Sequence, residues 1–156
     1  MADSSYLTKV VEPYVVKWVS EKIGQPLQAK KVDVGERLDG STVQFAFDGV
    51  SEDGKTGVLV STSLTTKSGS TRKLHVDASI LLEANFEQRI MAFISEETKQ
   101  NFINKVDGLL PLSRIELFIC DDLPDGMWRK IKDFQAKAKS EVGDKGKSSK
   151  VGGPRK

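Results

Sequence analysis

The chain has 156 residues, of which 38% are hydrophobic and 29% charged, with a single cysteine. That length supports one ordinary domain with a genuine core, and the composition excludes an intrinsically disordered chain. No apolar run approaches the ~18 residues of a membrane span. The N-terminal MADSSYLTKVVEPYVVKWV has no basic stretch leading into an uninterrupted apolar run, and one cysteine excludes an internal disulfide or a cysteine-rich zinc site. The expectation is a soluble, cytoplasmic protein with no membrane partner.

The net charge of +2 conceals an asymmetry. From Arg129 to Lys156 there are ten Lys or Arg against three Asp or Glu, a balance of +7, so the first 128 residues carry −5. The basic character belongs to the tail, and the body is mildly acidic, the reverse of a dedicated DNA-binding domain.

In chain order, Val10, Val11, Tyr14, Val15, Trp18, Val19 and Ile23 recur at helical spacing and predict a helix over about 7–23, stopped by Gly24 and Pro26. AKKVDV (29–34) gives a weak strand signal. Val43, Phe45 and Phe47 alternate with Thr42, Gln44 and Ala46 and predict a strand. Asp53-Gly54 marks a hairpin turn, and VLVSTSL is the returning strand. TTKSGST (65–71) is a polar loop before a helix over about 72–85 with Leu74, Ala78, Leu81 and Leu82 inward. RIMAFI (89–94) reads as a strand covered on both faces, Ser95 starts a helix to about Val106, RIELFIC (114–120) is a last buried strand, and Pro124 opens a terminal helix. Residues 1–140 are assigned to one α/β domain, a mixed central sheet with helices on both faces. Residues 141–156, rich in Gly, Ser and Lys, are assigned to a disordered basic tail. Cys120 sits in an apolar run and reads as a buried, inert thiol. His75 has no metal-ligand partner at i+4 and reads as structural. GKSSK (146–150) lacks the strand and helix that a phosphate-binding loop requires.

The succession helix, three-stranded meander, helix, strand, carried by FDGVSEDGKTGVLVSTS (47–63), LHVDASILLEANFEQRIMAFISEE and LPLSRIELFICDDLP, resembles the PD-(D/E)xK (restriction-endonuclease-like) nuclease superfamily over roughly residues 7–128. The resemblance implies an αβββαβ core with further C-terminal helices and a Mg²⁺ site. In that site an aspartate near the end of the second strand and a Glu-x-Lys on the third hold the cation and favour hydroxide. Asp48 matches the aspartate and Glu12 an accessory glutamate on the first helix. Leu59 stands where the resemblance implies the second carboxylate, and Ser61 where it implies lysine.

The usual site therefore reads as broken, with Asp48 and Glu12 as vestigial catalytic residues and Asp48 the remaining metal ligand. Plainer readings stand beside this. Asp48-Gly49 is also a common way to end a strand, and Glu12 complements a helix dipole. Catalytic residues could have migrated to Lys73, four residues before Asp77 on the helix after the third strand, although such a pair is commonly a solvated ion pair. Three functions follow. The first is a catalytically inactive nuclease-fold module that binds nucleic acid through loop 64–73 (Lys67, Arg72 and Lys73) and the basic tail. The second is an active, divergent Mg²⁺-dependent nuclease using Asp48, Glu12 and Lys73. The third is a protein-binding or assembly subunit. No cofactor other than Mg²⁺ is implied.

Overall fold

The computed structural model describes residues 5–64 and 68–136; the predicted nucleic-acid contact Lys67 and the tail lie outside the described residues. The chain forms an α/β fold with a five-stranded mixed sheet in the order β1-β2-β3-β4-β5, and four helices interspersed.

The first helical run is already under way at Ser5 and widens into a π-helical turn over Leu7–Val11, where the Glu12 N–H reaches the Leu7 carbonyl. Pro13 explains the widening. It has no N–H to donate, and in a regular α-helix its ring would collide with the carbonyl four residues back. From there α1 runs Glu12–Ile23 and ends at Gly24, whose φ of 71° suits a glycine cap, with the Gly24 N–H on the Ser20 carbonyl at 2.9 Å. Glu12 thus opens α1 and lies about two turns inside the continuous helical run that begins at Ser5.

Strand β1 spans Leu27–Glu36 and β2 Thr42–Ser51, an antiparallel pair. β3 is Thr56–Ser61. The β2–β3 turn is held by Asp53, which accepts from Ser51 Oγ at 2.6 Å and from the Lys55 N–H at 3.0 Å, with Gly54 at φ 74°. α2 follows (Ser68–Glu83), then β4 (Gln88–Phe93), α3 (Glu96–Val106), β5 (Glu116–Ile119) and a last helix, α4, over residues 125–136. Ser95 caps α3 by accepting the Thr98 N–H at 3.2 Å. β3, β4 and β5 are mutually parallel, so the sheet changes from antiparallel to parallel at β3.

Two cores lie on opposite faces of this sheet. β4 shows the division: Ile90 and Ala92 join α1 and α4 through Val11, Val15, Val19 and Ile131, whereas Met91 and Phe93 join α2 and α3 through Leu81, Phe102 and Val106. Cys120 is buried in the first of these. The predicted hairpin strands, RIMAFI and RIELFIC, share the one sheet, with shifted ends. β1 is longer than AKKVDV. β5 loses its first residues to a short 3-10 turn (Leu112–Arg114) that follows Pro111. No helix among the described residues is long and apolar enough to cross a membrane.

Candidate functional site: a carboxylate pair at a β-bulge

The reading of Asp48-Gly49 as a strand end is corrected by the structure, which places both residues inside β2, at a bulge. Val50 pairs with Gln28 and Phe47 with Lys30, so Asp48 and Gly49 together face the single residue Ala29. Bulges of this kind re-aim a side chain and bend the strand. β2 then stays with β3 only at Gly49↔Val58 and Val50↔Gly57. Beyond Gly49 the two strands are no longer paired, and the Asp48 side chain takes over the missing strand's work: its Oδ2 accepts the Val60 N–H at 2.8 Å. Gly49 has its own reason to be small. A Cβ there would come within 3.1 Å of Val16 Cγ1, so glycine lets α1 lie close to the bulge.

That approach brings Glu12, one turn before Val16, onto Asp48. The two carboxyl groups line the same groove, close enough for each to perturb the titration of the other. Burial, reinforced by the neighbouring Asp48 charge and opposed by Lys73, pushes Glu12 up to about 7 from an ordinary 4.5. Asp48 is raised as well, first by burial. The Val60 N–H, the Lys73 ammonium and the Glu12 carboxyl work against that rise, and Asp77 adds to it. Two acidic groups that meet in a partly dry site retain one proton between them near neutral pH.

Lys73 and Asp77 come from α2 on the opposite face of the sheet. The Lys73 ammonium bonds Asp77 Oδ2 at 2.9 Å. The lysine is 78% exposed, but the aspartate only 16%, so this is not the fully solvated pair that i, i+4 spacing suggests. Glu12, Ser61, Lys73 and Asp77 line one polar cavity of about 260 Å³. The structure therefore brings Glu12, Asp48 and Lys73 into one neighbourhood. Arg72 is exposed on α2, one residue before Lys73, and does not line that cavity. Leu59 points away into the α2–α3 core, and Ser61, 8% exposed, lines the cavity with Lys73. Gln135, from α4, also lines it and went unnoticed in the sequence. Its only signal is its place one residue beyond Phe134, at the margin of the apolar stripe.

Among the described residues no group of three or more His, Cys, Asp or Glu side chains is arranged to hold a metal ion. Glu12 and Asp48 remain as a pair of hard oxygen donors on one groove. That matches the sparse protein ligation of Mg²⁺, one or two carboxylates completed by water and phosphate, and not a dedicated Ca²⁺ or Zn²⁺ cage. A dication in place of the shared proton would relieve the same repulsion.

Comparison with known proteins returned no match: no family model fits the sequence, and no curated protein or solved structure is significantly similar to it.

Proposed function

We propose that the chain is a divergent protein of the PD-(D/E)xK nuclease type, a phosphodiesterase acting on nucleic acid whose acid and lysine groups have moved to helices. The element order and the unpaired gap between β2 and β3 support the relationship. The observation that carries the activity is the convergence of Glu12 and Asp48 on one groove, with Glu12 also lining the adjoining cavity that contains Lys73.

Glu12 and Asp48 are the residues that would hold Mg²⁺, which when bound supplies a Lewis acid and an acidified water. Asp48 is fixed in place by the Val60 N–H and so presents its carboxylate without rearrangement. Glu12 gives up its proton at about pH 7, so its ligand form is available from there upward. Lys73 supplies from α2 the positive charge that Ser61 lacks, beside the space where a phosphate oxygen would lie. Arg72, exposed on the same helix, adds a sequence-independent phosphate contact.

The test is cleavage of single- and double-stranded DNA and RNA with Mg²⁺ or Mn²⁺, repeated with Asp48→Asn and Lys73→Met. The proposal expects cation-dependent cleavage that either substitution abolishes. Absence of cleavage on every substrate, or cleavage indifferent to Asp48, overturns it.

A second reading, the inactive binding module, is favoured by Leu59, whose burial in the core removes any carboxylate from that strand position. It expects no cleavage, and nucleic-acid binding through Arg72, Lys73 and the basic tail that weakens steeply with salt.

A further inference from the structure

Beside the carboxylate pair, on the α1 face of the sheet, lies a larger groove of about 580 Å³. Its origin is geometric. α1 directs Val11, Val15 and Val19 onto β3 and β4, so its Pro13–Val16 flank overhangs β1 and β2. There Ala29 and Ala46, both exposed, contribute only methyl groups, and Leu27 adds a third apolar side chain. Apolar side chains make up most of its exposed wall, with Thr8, Ser20 and Gln28 set among them, and its volume is in the size range of clefts that enclose small organic ligands. Glu12 and Asp48 line it, and Glu12 also lines the polar cavity that contains Lys73. Lys17, one turn past Pro13, stands on its rim. A largely apolar groove therefore meets an acid pair, with one cation among its lining residues and another in the adjoining cavity.

We infer that this groove receives the nucleoside next to the scissile phosphate of an unpaired strand, an assignment that rests on the phosphodiesterase reading of the acid pair. A base or sugar lies against Val16, Leu27, Ala29 and Ala46, and the phosphate on one side of it falls at Glu12 and Asp48. The phosphate on the other side meets Lys17. Every base has an apolar face that can lie on this wall, so packing in the groove is tolerant of sequence. A base that is paired and stacked in a duplex cannot enter a slot between a helix and a sheet without first being extruded. The site consequently selects single strands.

The test uses the full chain with Mg²⁺ and three probes: a short oligo(dT), the same oligomer annealed to oligo(dA), and thymidine 5′-monophosphate. Oligo(dT) is expected to bind roughly tenfold or more tightly than the duplex, and Ala46→Trp to weaken oligo(dT) by a similar factor while leaving duplex binding unchanged. Thymidine 5′-monophosphate is expected to shift the methyl resonances of Ala29 and Ala46 in the wild type and in Asp48→Asn. Ala29→Phe repeats the groove filling from β1 should the tryptophan disturb folding. Equal or tighter duplex binding, groove-filled variants with unchanged oligo(dT) affinity, or methyl shifts confined to other surfaces overturn the assignment. The two readings fail separately. A protein that cleaves nothing yet shows the Ala29 and Ala46 shifts keeps the groove and loses the phosphodiesterase. One that cleaves and ignores Ala46→Trp does the reverse.

Discussion

Replacing Glu12 by glutamine isolates the carboxylate pair. In the folded chain Glu12 holds its proton to about pH 7, against 4.5 ordinarily. Between those values the unfolded chain releases the proton while the folded chain retains it, so the wild type loses stability as pH rises from 4.5 to about 7 and is level beyond. The displacement of about 2.5 pH units sets a ceiling of about 3.4 kcal/mol on that loss. Glu12 is only about half-buried, and solvent screening reduces the figure to roughly 1.5 kcal/mol. Glutamine stays neutral, like the protonated acid. Glu12→Gln should therefore match the wild type at about pH 4 and exceed it by about 1.5 kcal/mol at about pH 8.5. In urea unfolding this is a midpoint increase on the order of 0.5–1.5 M, appearing only at the higher pH. A stability difference that is the same at both pH values, or a less stable variant at the higher one, refutes the shared-proton description.

Lys73→Met removes the cation that lowers both acids, so the carboxyl carbon of Glu12 should titrate above its wild-type midpoint by NMR; an unmoved midpoint would place Lys73 outside the site. Gly57→Ala drives a Cβ into the Phe86 ring, and chemical unfolding should register a loss of about 1–3 kcal/mol, the usual penalty of overpacking. Phe102→Ala empties the centre of the α2–α3 core, where the ring is fully buried against Phe93. It should lower stability by about 3–5 kcal/mol, whereas a loss below about 1 kcal/mol would mean that this core is loosely packed.

Strands and helices with strong periodicity were legible from residue order. Phe45 and Phe47 announce β2 because alternate residues turn toward the core, and the apolar run RIMAFI announces β4 because both its faces are covered. The bulge was not legible. It is an offset between two strands, and nothing local to Asp48-Gly49 distinguishes an extra residue from a strand end. β1 gives a weak signal because it is an edge strand, largely exposed. Glu12, Asp48 and Lys73 were each identifiable as chemistry-bearing residues. Their meeting depends on the close approach of α1 over Gly49 and on α2 returning across the opposite face, both tertiary events. The π-helical turn was likewise hidden, although its cause, Pro13, was in plain view.

Leu59 bears on how such a pocket can change. Its side chain is 6% exposed and belongs to the same cluster as Phe47, Leu74 and Met91. A glutamate placed there would have to abandon those contacts and bury a charge without a partner, a change that costs several kcal/mol and a large share of a small domain's stability. Position 59 is thus a one-way step: once apolar, it is held by the packing that has closed around it. Lys73 and Arg72, exposed on α2, are under no such constraint. Substitutions on the helix can adjust the charge beside Asp48 without disturbing either core, so future variation of this site is channelled through α2 and away from β3.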